Sequence, residues 1–192
     1  MEAISVPLTG SNPDLDLVER HRYGDEEAFA ELYERFAPMV YNLALRLAGD
    51  ATYAEDLSQE VFLRIHRHLS RFNGRSALKT WVYRVAINHC RSRLSRRKRA
   101  AQPLWEDDEE RGVQLTDERR DPESRALATD SSRQVAAALA EVKPKFREAV
   151  VLRDLEGLSY DEIAQVLGVR IGTVRSRIAR GRDQLRTVLE RS

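Results

Sequence analysis

The chain has 192 residues, 33% charged and 42% hydrophobic, which describes a soluble folded protein and excludes a disordered one. Nine glycines and six prolines leave little turn chemistry for a many-stranded sheet, and a net charge of +1 gives no global pull on a polyanion. The single cysteine, Cys90, excludes an internal disulfide framework and suits a reducing compartment. The longest apolar run, Val135 to Ala140, is far below the roughly 20 residues of a bilayer span. The opening MEAISVPLTGSNPD has neither the basic start nor the apolar core of a secretion signal. A cytoplasmic protein without membrane insertion is expected.

Residues 1–13 are expected to fray. From Asp25 onward Phe29, Leu32, Tyr33 and Phe36 recur at helical spacing and form one apolar stripe. Pro38 is expected to open a second helix carrying Val40, Leu43, Ala44 and Leu47, which Gly49 stops. Thr52 with Glu55 reads as a capping box for a third helix bearing Leu57, Val61, Phe62 and Ile65. Asp56, Gln59 and Glu60 share an acidic, polar face of that helix. A loop containing Phe72, Asn73, Gly74, Arg75, Ser76 and Ala77 follows. The next helix starts near Leu78 and ends in the basic run Arg91 to Arg99. Trp81 and Tyr83 are its aromatics, and Arg84, Arg91, Arg93 and Arg96 can neutralise a phosphate backbone. Trp81 reads as a core anchor, whereas Tyr83 suits core packing and base stacking equally. Cys90, on a mostly apolar face, reads as packing, with redox sensing as the alternative.

Periodicity then disappears between Ala100 and Ser124. Five consecutive acids, Glu106 to Glu110, lie among Pro103, Gly112 and Pro122, the composition of a flexible, negatively charged linker. Helical spacing resumes from Leu127, and Pro144 opens KFREAVVLRDLEG, which Gly157 ends. The expected fold is all-α, with helical domains at 14–99 and 125–192 joined by a flexible acidic linker at 100–124.

The stretch from Ser159 to Arg182 changes character at Gly168, from acidic and apolar to arginine-rich. Ser159 and Glu162 form a capping box, Ile163, Ala164 and Leu167 face inward, and Gly168 supplies a left-handed stop. A second helix follows with Val174, Ile178 and Leu185 on its buried side. Two short helices across a glycine turn make a helix-turn-helix, whose second helix enters the major groove of DNA. Thr173, Arg175, Ser176, Arg177, Ala179 and Arg180 then face outward. Arginine can bridge guanine O6 and N7 or grip phosphate, so one helix packs inward while the next faces DNA. The competing description is a solvated arginine face on an ordinary helical hairpin. Arg170 is a discordant detail, because it occupies an N-cap position that Ser or Asn would fill better.

The stretch FREAVVLRDLEGLSYDEIAQVLGVRIGTVRSRIARGRDQLR closely resembles the C-terminal promoter-reading domain of bacterial sigma factors, and most of all the extracytoplasmic-function group of the sigma-70 family. DEEAFAELYERF, AEDLSQEVFLRIHRHL and RFNGRSALKTWVYRVAINHCRSRL are similar, in that order, to the second conserved sigma region. The resemblance implies a subunit that binds core RNA polymerase and directs it to promoters, without cofactor or metal. It implies that Arg175, Ser176, Ala179 and Arg180 face the bases of a duplex −35 element, with Arg153 supporting from the preceding helix. It implies that the −10 element is captured as a single strand, a flipped base entering the loop from Phe72 to Ala77. Asn88 and Ser92 match positions that help choose that base, and Asp56, Gln59 and Glu60 fall in the segment that docks on the polymerase. An anti-sigma factor is implied as a further partner.

Three other classes compete, of which a helical scaffold that binds no nucleic acid leaves both basic surfaces unexplained. A stand-alone helix-turn-helix regulator would carry an N-terminal sensor or dimerisation domain, whereas this N-terminal block carries a second basic, aromatic surface. A metal-dependent nuclease would use Glu55, Asp56 and Glu60, but there is no nucleophile motif and no phosphate-cradling glycine loop. His21, His66, His68 and His89 show no zinc spacing with cysteine. The reading is therefore a non-enzyme.

Overall fold

The computed structural model describes residues 12–100 and 130–191, and among them all regular structure is helical. The expected acidic connector and nearly all of the expected N-terminal tail lie outside the described residues.

Helix α1 spans Pro13–Arg22. Asn12 caps it by accepting from the Asp14 N–H, and Pro13 occupies its first turn, where no N–H is needed. Sequence periodicity does not detect this helix, because only Leu17 and Val18 are buried on it. Helix α2 runs without interruption over Glu26–Ala48, so Pro38 lies inside it and opens no new helix. The proline is tolerated because it sits on the exposed side, along with Glu34, whose carbonyl loses its i+4 donor and can turn to water. The buried stripe Leu32, Phe36, Val40, Leu43, Ala44 and Leu47 continues past it. Gly49 ends α2 in the left-handed conformation, as expected. Helix α3 is Ala51–Leu69. Its cap is Asp50, which accepts from the Tyr53 N–H at 3.0 Å, and not the Thr52–Glu55 box. A carboxylate two residues upstream is placed to reach the free N–H first. Helix α4, Leu78–Ala100, packs on both α2 and α3, while α1 packs on α2.

The second group contains α5 (Asp130–Glu141), α6 (Pro144–Val150), α7 (Tyr160–Leu167) and α8 (Ile171–Leu189). Helix α6 continues into one wide π-type turn, Val151–Leu155, before the chain reverses at Gly157, whose φ is +73°. Helix α6 lies so close to α8 that a Cβ on Gly181 would sit 2.5 Å from Val150 Cγ2 and 3.0 Å from the Phe146 carbonyl oxygen.

The relative placement of the two groups, which the sequence leaves open, is settled by contacts of α4 with α7 and of α2 with α5 and α6. One continuous apolar cluster runs from Leu32 and Leu57 through Ala86 and Ile87 to Leu139, Leu152, Ile163 and Ile178. Gly181→Ala should lower unfolding free energy by up to about 2 kcal/mol, because overpacking against α6, about 1–3 kcal/mol, outweighs the roughly 1 kcal/mol gained in helix propensity. Denaturant unfolding of the two proteins measures the difference.

Candidate nucleic-acid interface

The turn between α7 and α8 is built as its sequence dictates. Ser159 Oγ accepts from the Glu162 N–H, the Ser159 N–H donates to Glu162 Oε2 at 2.8 Å, and Gly168 takes φ +66° to end α7. These bonds hold the Glu162 carboxyl below its usual range, the Ser159 N–H first among them. Arg170 precedes α8 in extended conformation and makes no side-chain cap. Val174 and Ile178 are buried, so α8 turns Arg175, Ser176, Ala179 and Arg180 to solvent, with Thr173 and Arg177 half-buried at the edges.

The arginines of α8 fall into two classes. Arg175, Arg177 and Arg180 have no ion-pair partner among the described residues. Arg182 grips Asp154 through two bonds of 2.9 and 2.5 Å, and Arg186 pairs with Asp183 at 3.1 Å. The unpaired three are thus available to an external anion, and the paired two serve the fold. Arg153 is also committed internally. Its Nη1 donates to the Leu158 carbonyl at 2.8 Å and its guanidinium stacks over Tyr160, which shapes the approach to α7.

The second basic surface lies on α4 and the loop before it. Phe72 is buried and meets the half-buried Trp81 edge to face, with ring centroids 5.7 Å apart. Asn73 Oδ1 accepts from the Arg75 N–H, Gly74 adopts φ +71° beside Leu15, and Asn73, Arg75 and Ala77 are exposed, with Ser76 half-buried. The loop is clamped from α1: Arg22 donates to the Ser70 carbonyl at 2.7 Å and to the Phe72 carbonyl at 2.5 Å. Nothing in the sequence pattern points to Arg22, because a distant arginine reaching carbonyls leaves no periodic trace.

Along α4, Asn88 and Ser92 stand exposed one turn apart. Tyr83 is buried, and its hydroxyl donates to Glu156 Oε2 at 2.7 Å; burial first, then that carboxylate, push the phenol well above its usual range. Arg91 makes a bidentate pair with Glu148 at 2.8 and 2.5 Å, which raises the pKa of the guanidinium. Arg84 is half-buried, and its Nε has no hydrogen-bond partner. Neither Glu148 nor Glu156 belongs to a motif in the sequence. An acid flanked by FR and AVVL, at a position with core spacing, is the signal that points to Glu148.

The acidic face of α3 divides. Asp56 and Gln59 are exposed, and Leu63, 58% exposed, extends the same face by one turn. Glu60 turns toward α4 instead, 2.6 Å from His89 Nε2 and 2.9 Å from Arg93. Burial lowers the His89 pKa against the opposing pull of Glu60. No three His, Cys, Asp or Glu residues come together as a metal site among the described residues. Cys90 is buried, and burial pushes its thiol up to about 12. In the folded protein it should resist iodoacetamide at neutral pH and react on addition of denaturant, since only the thiolate is nucleophilic. Mass spectrometry of alkylated protein reads this directly.

These features coincide with those of known proteins. Residues 32–100 match the family description Sigma-70 region 2, and residues 132–185 match Sigma-70, region 4. An ECF RNA polymerase sigma factor SigE from Mycolicibacterium smegmatis is 40% identical over 86% of this chain, which spans 64% of that relative's length. The RNA polymerase sigma-H factor of Pseudomonas aeruginosa is 35% identical over 92% of this chain and 94% of its own. Among solved structures, the sigma factor RpoE bound to the anti-sigma factor NepR from Bartonella quintana superimposes with a TM-score of 0.68 at 26% identity. That likeness covers 84% of this chain and 96% of the other. With both regions present in order and a relative matched across nearly its full length, the chain belongs to the extracytoplasmic-function group of the sigma-70 family of RNA polymerase sigma factors.

Proposed function

We propose that the two basic surfaces divide one promoter between them, α8 reading the −35 element as duplex and α4 with its preceding loop capturing the −10 element as single strand. As a sigma factor the chain binds core RNA polymerase and directs transcription initiation at promoters. The polymerase performs nucleotidyl transfer, and this chain supplies address and melting. The observation that carries the assignment of α8 is its set of unpaired arginines, Arg175, Arg177 and Arg180, projecting behind a capped glycine turn beside arginines already tied to acids. Ser176 and Ala179 between them are small enough to let the helix approach base edges.

The domain limits that follow are 14–99 for the −10 and polymerase-binding domain and 125–192 for the −35 domain, with 100–124 as the acidic linker. Asn73, Gly74, Arg75, Ser76 and Ala77 offer a pocket rim for a flipped base over Phe72, and Asn88 and Ser92 lie on the helix that would read it. Asp56 and Gln59, together with Leu63, form the face that meets the polymerase. An exposed leucine flanked by an acid and an amide fits a partner surface that is basic around an apolar centre. The solved complex of RpoE with NepR supports control of this chain by an anti-sigma factor. Among the described residues no helix is long and apolar enough to cross a membrane. Action on promoter DNA together with core polymerase fits a cytoplasmic protein.

Arg175→Ala or Arg180→Ala should cost about 1–3 kcal/mol and relax preference at one −35 position when the contact is to a base. Binding of holoenzyme to promoter variants at two salt concentrations tests this, because loss of a phosphate contact weakens all variants alike and flattens the salt slope. Leu63→Asp should weaken assembly with core polymerase roughly tenfold or more, as expected for a central apolar anchor worth over 1 kcal/mol. Its affinity for duplex −35 DNA should stay unchanged. The isolated chain should bind duplex weakly and gain promoter specificity only with core enzyme; tight, specific binding alone would point to a stand-alone regulator.

A further inference from the structure

Arginines tie distant residues together at the seam between the two helical groups, and one does so within the first group, between α1 and the loop before α4. Leu15, Val18 and Arg22 recur at i, i+3 and i+7 and so share one face of α1. Val18 is 1% exposed and enters the core, while Leu15 and Arg22, two turns apart, both reach the loop. Arg22 forks: its Nε donates to the Ser70 carbonyl at 2.7 Å and its Nη2 to the Phe72 carbonyl at 2.5 Å. Neither carbonyl receives a backbone N–H among the described residues, so this one guanidinium satisfies both. Leu15, an apolar side chain left 38% exposed, lies against Gly74, where an added Cβ would come within 3.2 Å of its Cδ2. Helix α1 is itself tied to α2, through Asp14 with Arg35 at 2.7 Å and Arg20 with Glu31 at 2.9 Å. The loop has little backbone bonding of its own. The Phe72 N–H reaches the Leu69 carbonyl at 2.9 Å, but no N–H from Asn73 to Ala77 donates to a backbone carbonyl.

We propose that α1 is the strut of the base-capture loop, with Arg22 and Leu15 as positioning residues that hold Ser70 to Gly74 in the shape a flipped base requires. This rests on the −10 reading of that loop. Asn73 to Ala77 present polar groups to a base only while the backbone that carries them keeps one conformation. A loop that orders itself on binding loses affinity to the entropy of that step, and a preformed loop does not. With no backbone ladder inside the loop, the order has to come from outside, and α1 supplies it at Ser70, Phe72 and Gly74. Arginine suits the task because its planar fork meets two acceptors at a fixed spacing, whereas a lysine ammonium is a point charge. Arg22 therefore acts on the strand through the loop and not through phosphate.

The test uses holoenzyme assembled from the full chain and core polymerase, on a promoter fragment selected with the wild type from a randomised library. Its non-template strand is left unpaired across the −10 element, and one nucleotide at a time is made abasic. For the wild type, one abasic position should weaken binding about tenfold or more, the usual worth of a captured base. In Arg22→Gln and Arg22→Lys the intact fragment should bind about tenfold more weakly, and the fragment abasic at that position should bind as it does to the wild type. Leu15→Ala should shift the same ratio in the same direction. Assembly with core polymerase should be unchanged in all three variants. A wild type indifferent to every abasic position overturns the −10 reading of the loop, and the role of α1 with it. A wild-type penalty that Arg22→Gln retains in full overturns the role of α1 alone. An equal loss on intact and abasic fragments marks a merely structural contact and also overturns that role. Full rescue by Arg22→Lys overturns it too, since it would mark a charge acting on phosphate.

Discussion

Arg147 is the group on which the arrangement of this molecule turns. Helix ends leave carbonyls without intrahelical partners, and two such ends meet at its guanidinium. One nitrogen donates to the Leu47 carbonyl closing α2, and the other donates to the carbonyls of Ala140 and Val142 closing α5. A cation at a helix C-terminus is also favoured by the helix dipole, and here a single cation serves two helices at once. Burial lowers the Arg147 pKa, yet a guanidinium keeps its proton at any physiological pH, so the clasp does not titrate away. The seam is thus fixed in register by hydrogen bonds to the backbone, which tolerate less displacement than side-chain packing does.

Around that fixed point the charged residues sort by what they can reach. Arginines within reach of an acid or a carbonyl serve the fold: Arg22 holds the loop before α4, Arg153 the approach to α7, and Arg182 the packing of α8 on the π-type turn. Arginines placed on the outer face of α8, with no acid in reach, retain their capacity for phosphate and base edges. This is how a chain of net charge +1 can present a strongly basic surface. Among the described residues, acids such as Glu148, Glu156 and Asp154 lie inside or on other faces, and the outer face of α8 around Arg175 and Arg180 is left uncompensated.

The same sorting gives the seam its character. The apolar cluster continues across both groups, so closure has a hydrophobic component. The specific crossings, however, are ion pairs and hydrogen bonds whose members water can also satisfy. Family membership and the placement of α8 depend on none of this, since they follow from the turn geometry and the matched regions.

Local rules made much of the molecule legible in the sequence. The all-helical class follows from 3.6-residue periodicity, Gly49 and Gly168 from the need for left-handed stops, the Ser159–Glu162 box from cap chemistry, and the outward face of α8 from the positions of Val174 and Ile178. These rest on interactions between residues a few positions apart, which spacing encodes. Where a local rule had a competitor, the tertiary setting chose. Pro38 stays within α2 because its side of the helix faces solvent, and Asp50 caps α3 in place of Thr52. Tertiary structure alone decided that Tyr83 points into protein, that Glu60 turns to His89 and Arg93, and that Arg91 meets Glu148 57 residues away. Those pairings join residues far apart in the chain, and no periodic pattern carries information about which distant charge will be brought alongside.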